Sequence, residues 1–180
     1  DTNIILRDIQ LSNIEIRAYM NAHTALLDHG FSLTNAGVNY IYGGGKSANL
    51  TGNVDLTINS SHTGGTLYVY GGSVNGTISG NINLVINALA NRPIGGIWGG
   101  NSGAGSIEGN ISTIINSLPE QTIHAFGGGG VANNVSGSVF NRITNMEALI
   151  TNYYSVTSSQ TADTNVLGGI TNIIKPENKA

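Results

Sequence analysis

Val-Asn-Tyr-Ile-Tyr-Gly-Gly-Gly (38–45), Leu-Tyr-Val-Tyr-Gly-Gly (67–72), Gly-Gly-Ile-Trp-Gly-Gly (95–100) and His-Ala-Phe-Gly-Gly-Gly (124–129) are versions of one phrase. Its aromatic residue stands at Tyr42, Tyr70, Trp98 and Phe126, each 28 residues after the one before, and at least two glycines follow every time. A fixed period of this length marks a stack of similar units. A single unit cannot bury an apolar face by itself and needs its neighbours to do so.

A second landmark keeps step with the first. Gly52, Gly80, Gly109 and Gly137 lead the segments Asn-Val-Asp-Leu-Thr-Ile-Asn (53–59), Asn-Ile-Asn-Leu-Val-Ile-Asn (81–87), Asn-Ile-Ser-Thr-Ile-Ile-Asn (110–116) and Ser-Val-Phe-Asn-Arg-Ile-Thr (138–144). The third copy comes one residue late, a difference a turn can absorb. Alternation of this kind reads as strand, with Val54, Leu56 and Ile58 on one face and Asn53, Asp55 and Thr57 on the other. Two residues before each glycine lies a further apolar position, at Leu50, Ile78, Ile107 and Val135. Val166 stands in the same relation to Gly168, and Ile170 and Ile174 follow in phase. These close the series as a decayed copy whose aromatic is Tyr154. Another apolar column, Ile41, Val69, Ile97 and Ala125, directly precedes the aromatics.

Each unit thus holds short alternating segments separated by Gly, Asn and Ser, with no apolar stripe at helical spacing. The expected fold is all-β: a right-handed parallel β-helix, or β-solenoid, of about five coils of 28 residues with an N-terminal cap. Residues 1–37 lack the aromatic–glycine mark but still alternate, as at Ile4 and Leu6, Ile9 and Leu11, Ile14 and Ile16. They are expected to form the first coil and cap, 38–175 the solenoid repeats, and 176–180 a polar tail or linker, all in one structural domain. Glycine is expected at tight corners that require positive φ, and Asn is the next best residue there. Asn59, Asn87 and Asn116 are candidates for a stacked side-chain ladder, or are plain turn residues.

Composition narrows the function. Charged residues are 9% of the 180-residue chain, glycine contributes 26 residues and the net charge is −3. With no basic patch and no basic–aromatic interleaving, nucleic acid is not expected as a partner. There is no cysteine, so thiolate metal sites and disulfides are unavailable, a usage that suits an exported bacterial protein. No apolar run reaches the length of a membrane span. The start at Asp1-Thr2-Asn3 and the polar ending 175–180 read as a piece excised from something longer.

The phrases at 38–45, 52–59 and 67–72 resemble β-helical repeats of large bacterial surface proteins, both cell-wall-anchored adhesins of Firmicutes and autotransporter-like passengers. The stretch His-Thr-Ala-Leu-Leu-Asp-His-Gly (23–30) is similar to the lead-in that often precedes the first such repeat, and the resemblance covers roughly 22–175. It implies an extracellular, cell-surface role as adhesin or spacer, and a host glycan or surface protein as partner. Sorting and anchoring signals are not visible in this sequence, so attachment is an inference.

Enzymes also use β-helices, in sites that need clustered carboxylates on one strand face, often with calcium, and a basic catalyst. Here the acids do not stack: Asp55 is followed by Asn83 and Ser112 in the next copies, and Lys46 and Arg92 have no acidic neighbour in register. No catalytic role, cofactor or metal is therefore expected. His23 and His29 lie six apart, matching no zinc spacing, and Gly43-Gly44-Gly45-Lys46 lacks the spacing of a phosphate loop. An ice-binding array of threonines is also not expected, because Thr57 is followed by Val85, Ile114 and Arg142.

The candidate binding surface is the aromatic column. If Ile41, Val69 and Ile97 point inward, alternation sends Tyr42, Tyr70, Trp98 and Phe126 outward, with Tyr40, Tyr68 and His124 on the same face. Tyr40, Tyr42, Tyr68, Tyr70, Trp98 and Phe126 would then form a ladder able to stack sugar rings or a protein partner's side chains. A corner can also break alternation and turn the aromatics into the core. The sequence reading is an adhesin module, with a passive stalk and then a polysaccharide-active enzyme as alternatives.

Overall fold

The computed structural model describes residues 4–7, 31–34, 39–45, 49–59, 65–89, 92–117, 122–130, 133–146, 149–156 and 165–176. Its strands, in chain order, begin with β1 (Ile4–Arg7) and β2 (Phe31–Thr34), followed by β3 (Tyr40–Tyr42) and β4 (Val54–Ile58). Three coils follow, with β5 (Leu67–Tyr70), β6 (Gly76–Ile78) and β7 (Ile82–Ile86), then β8 (Ile94–Trp98), β9 (Gly105–Ile107) and β10 (Ile111–Ile115), then β11 (Thr122–Gly127), β12 (Asn133–Val135) and β13 (Val139–Met146). The last rung is β14 (Leu149–Tyr154), β15 (Asn165–Val166) and β16 (Ile170–Pro176).

They build three parallel sheets: β1-β2-β4-β7-β10-β13-β16, β3-β5-β8-β11-β14 and β6-β9-β12-β15. A single parallel bridge from Leu50 to Ile78 extends the last of these by one rung. The chain visits the sheets in rotation and returns to each after about 28 residues, making an all-β parallel solenoid of about four turns with no helix among the described residues. The five strands of the aromatic sheet have four intervals between them, so the expectation of about five coils counted rungs instead of turns.

The core is the set of inward columns. Val54, Ile82, Ile111, Val139 and Ile170 stack in register along the long sheet, as do Ile58, Ile86, Ile115, Ile143 and Ile174. The small sheet contributes Leu50, Ile78, Ile107, Val135 and Val166, so the decayed final copy is in phase as the sequence predicts. β-Branched residues suit these positions, because each side chain meets its equivalent about 4.8 Å above and below. Of the first 37 residues, β1 and β2 lie in the long sheet, with Ile4 and Leu6 opposite Phe31 and Leu33. Ile9, Leu11, Ile14 and Ile16 and the 23–30 stretch lie outside the described residues.

Two expectations fail for one reason. Ser102 N–H donates to the Ser73 carbonyl, the register of a 28-residue step, whereas Gly105 pairs with Gly76, 29 residues before it. The extra residue enters between these points and every later strand inherits it. Phe126 therefore pairs with Ile97, and Gly127 pairs with Trp98. Phe126 is inside the core, completely buried, while Ala125, expected inward, is half-buried. On the next rung Tyr153, not Tyr154, lies across from Phe126, and Tyr154 lies across from Gly127.

The glycines after the aromatics are required chiefly for lack of space. A Cβ on Gly43 would press on the Gly71 carbonyl and sit 2.8 Å from Val54 Cγ1. Positive φ belongs to Gly52 (98°) and Gly76 (111°), at corners where an L-residue would be strained.

Candidate functional site

The aromatic column is a continuous stack of rings. Tyr42 and Tyr70 lie 5.0 Å apart and 6° from parallel, and Tyr70 and Trp98 lie 4.6 Å apart and 9° from parallel. Two residues upstream, Tyr40 and Tyr68 stack at 4.8 Å and 9°. The indole of Trp98 folds back over Gly96, where a Cβ would overlap its ring atoms, and comes 6.4 Å from the Tyr68 ring. The Tyr68 ring occupies the space a Cβ on Gly95 would need. Gly95-Gly96 interrupts the alternating pattern because two rings lie flat against its backbone. This doublet is the local signal for the stack.

Alternation holds, and these rings form a layer outside the inward columns. Tyr42 and Trp98 are not part of the central apolar cluster that contains Ile41, Val69, Ile97 and Phe126. They are nevertheless covered: Tyr42 is 3% exposed and Trp98 7%, while Tyr40, Tyr68 and Tyr70 are half-buried. Trp98 Nε1 is buried without a hydrogen-bond partner. Phe126 does not join this layer. It stacks on Tyr153 at 5.1 Å within the core, so the six-residue ladder becomes an outer stack of five plus one core ring.

Geometry decides what such a stack can bind. Saccharide C–H groups use the face of an aromatic ring, and a partner's aromatic side chain uses a face or an edge. With rings parallel and 4.6–5.0 Å apart from coil to coil, the faces of Tyr42, Tyr70, Tyr40 and Tyr68 are turned toward one another. What reaches the surface is ring edge.

The outward polar side chains are also spent on neighbouring coils. Asn116 Nδ2 donates to Asn87 Oδ1 (2.8 Å) and Asn87 Nδ2 to Asn59 Oδ1 (2.7 Å), the side-chain ladder that the sequence left open against a plain turn. A second ladder runs from side chain to backbone: Asn53 Oδ1 accepts from Asn81 N–H, Asn81 Oδ1 from Asn110 N–H, and Asn110 Oδ1 from Ser138 N–H, each at 2.8 Å. Asp55, the acid considered for catalysis, accepts from Asn83 Nδ2 at 2.6 Å.

Arg92 is buried and acts as a clamp. Its Nε donates to the Gly65 carbonyl (2.8 Å) and its guanidinium also reaches Asn39 Oδ1 (3.1 Å), so one side chain ties three successive coils together. Burial holds its pKa below the usual arginine value. Lys46, His23, His29 and His62 lie outside the described residues, and His124 is exposed. Among the described residues no group of three or more His, Cys, Asp or Glu is placed to hold a metal ion. None of their helices is long and apolar enough to cross a membrane. No protein-family model, no curated protein and no solved structure matches this chain.

Proposed function

We propose that this chain is a structural spacer of a bacterial cell-surface protein, a stiff solenoid segment that holds other parts of that protein at a distance. The observation that carries the reading is the use of the rings: Trp98 is 93% covered, and the tyrosine faces are consumed by coil-to-coil stacking. Aromatic stacking, asparagine ladders and the Arg92 clamp all join one coil to the next, which is what a load-transmitting stack needs. Surface location rests on the resemblance of the 38–45, 52–59 and 67–72 phrases.

A second reading, an adhesin module for a host glycan or surface protein, is favoured by one feature. Tyr40 and Tyr68 are stacked and half-buried, so their edges remain at the surface. The readings separate in two measurements on the whole chain. Acrylamide quenching of Trp98 should be weak and its emission blue-shifted, and a glycan array should show no saturable binding. Binding that is saturable and lost in Tyr68→Ala would replace the spacer with the adhesin.

A further inference from the structure

All three sheets end on one side of the molecule. β16, β14 and β15 are the terminal strands of the seven-, five- and four-stranded sheets, and each presents an unpaired backbone edge. The inward columns run into this end and stop there uncovered. Val139 and Ile143 are 1% and 0% exposed beneath Ile170 and Ile174, but Ile170 and Ile174 are themselves 46% and 39% exposed, and Leu167 is 82% exposed. No charged residue interrupts 165–174, so the edge lacks the lysines and glutamates that discourage strand pairing.

The pattern of β16 says what fits it. Its inward positions are Ile170, Asn172 and Ile174, a series that reads the same in both directions. We infer that this end of the solenoid joins the same end of a second copy, with β16 and its mate pairing antiparallel about Asn172. A two-fold axis through Asn172, normal to the long sheet, reverses the strand and leaves inward positions inward. Ile170 then lies across from Ile174 of the second copy, apolar on apolar, and Asn172 across from its own equivalent. Lys175 falls across from Gly169, where a Cβ would meet nothing within 4 Å, so its stem has space and no like charge opposes it. The contact is isologous and closes at two copies, as two-fold interfaces do.

The wild-type chain decides the matter by mass. Sedimentation across a dilution series should give a species of twice 18.6 kDa that dissociates to one on dilution. Ile170→Lys places an unpaired charge in the joint and should raise the dissociation constant roughly 100-fold. Orientation is tested with Asn172→Cys, which creates the single thiol of a chain that has no cysteine. Directly opposed residues of an antiparallel pair lie about 4.5–5.5 Å apart at Cα, within disulfide reach. Mild oxidation should convert this variant to a covalent dimer, while Asn59→Cys, on the exposed ladder, stays monomeric in the same time. A wild-type mass of 18.6 kDa at every concentration overturns the proposal. So does open-ended growth into polymers without the Asn172→Cys cross-link, which is the signature of head-to-tail stacking.

Discussion

Phe126→Ala tests the register directly. The ring is fully buried, pairs across the sheet with Ile97 on one side and Tyr153 on the other, and stacks on Tyr153 at 5.1 Å and 2° from parallel. Removing a buried phenyl ring costs about 3–5 kcal/mol, as lost transfer energy plus the cavity left between two coils. The stack with Tyr153 accounts for about 0.5–1.5 kcal/mol beyond area. A loss of about 4 kcal/mol is expected, and it should fall on the coils after residue 122, because a solenoid is held by nearest-neighbour interfaces. Urea unfolding followed by circular dichroism measures the total, and hydrogen exchange resolved along 122–176 shows where it lands. His124→Ala, at an exposed position of the same strand, should stay within about 0.5 kcal/mol. The strict 28-residue period instead puts Phe126 in the outer column. A cost below about 1 kcal/mol would restore that arrangement and refute the shifted register.

Three further outcomes follow from single side chains. Thr113 is fully buried and its Oγ1 has no partner, so Thr113→Val keeps the shape and should stabilise the chain by about 1–2 kcal/mol in thermal unfolding; destabilisation would mean the hydroxyl is satisfied. Asn87→Ala removes both side-chain bonds of the exposed ladder and should cost about 1 kcal/mol, with no measurable loss counting against a ladder that stabilises. Burial raises the Tyr153 hydroxyl above the ordinary tyrosine value, with a hydrogen bond from Asn141 acting in the opposite sense. The folded chain thus holds that proton more tightly than the unfolded chain does. Its contribution to stability is intact below about pH 10 and is lost as pH rises through the folded value. Tyr153→Phe should flatten this alkaline decline, and an unchanged decline would assign it elsewhere.

Much of this was legible because stacking makes the sequence repeat its own contacts. Val54, Leu56 and Ile58 announce one strand, and their copies announce the same position again, so each column is read several times over. The Asn59 ladder was visible as a residue type held at a fixed spacing. The place of Phe126 was harder to see, because an aromatic suits the core and the outer layer equally well. The late Gly109 carried the information: a coil that is long at one strand is long at all that follow it. The burial of Trp98 was illegible for a different reason. Alternation assigns a face, but it does not say what covers that face. The clue was Gly95-Gly96, which makes sense only when the rings of Tyr68 and Trp98 are laid against it.

One inward column changes character along the stack. Its members in the long sheet are Leu56, Leu84, Thr113, Asn141 and Asn172, opposite one another in unbroken register. The facing corner explains the change. A Cβ on Gly99 would sit 2.5 Å from Thr113 Oγ1, and one on Gly128 would meet the Asn141 amide, so the interior here is too narrow for leucine against a side chain. On the last rung the corner brings the Ser155 carbonyl inward, and Asn141 Nδ2 supplies its hydrogen bond at 3.0 Å. Asn172 then accepts from Asn141 Nδ2 and from the Tyr153 hydroxyl, and donates to Ser155 Oγ. The polar column satisfies backbone that leucine would strand, yet it leaves Thr113 Oγ1 and Asn141 Oδ1 buried without partners. Apolar burial per coil therefore falls from the Leu56 rung toward the Asn172 rung. The same gradient makes the last rungs the first to open in the isolated chain. It also makes them the rungs that gain most when their end is covered.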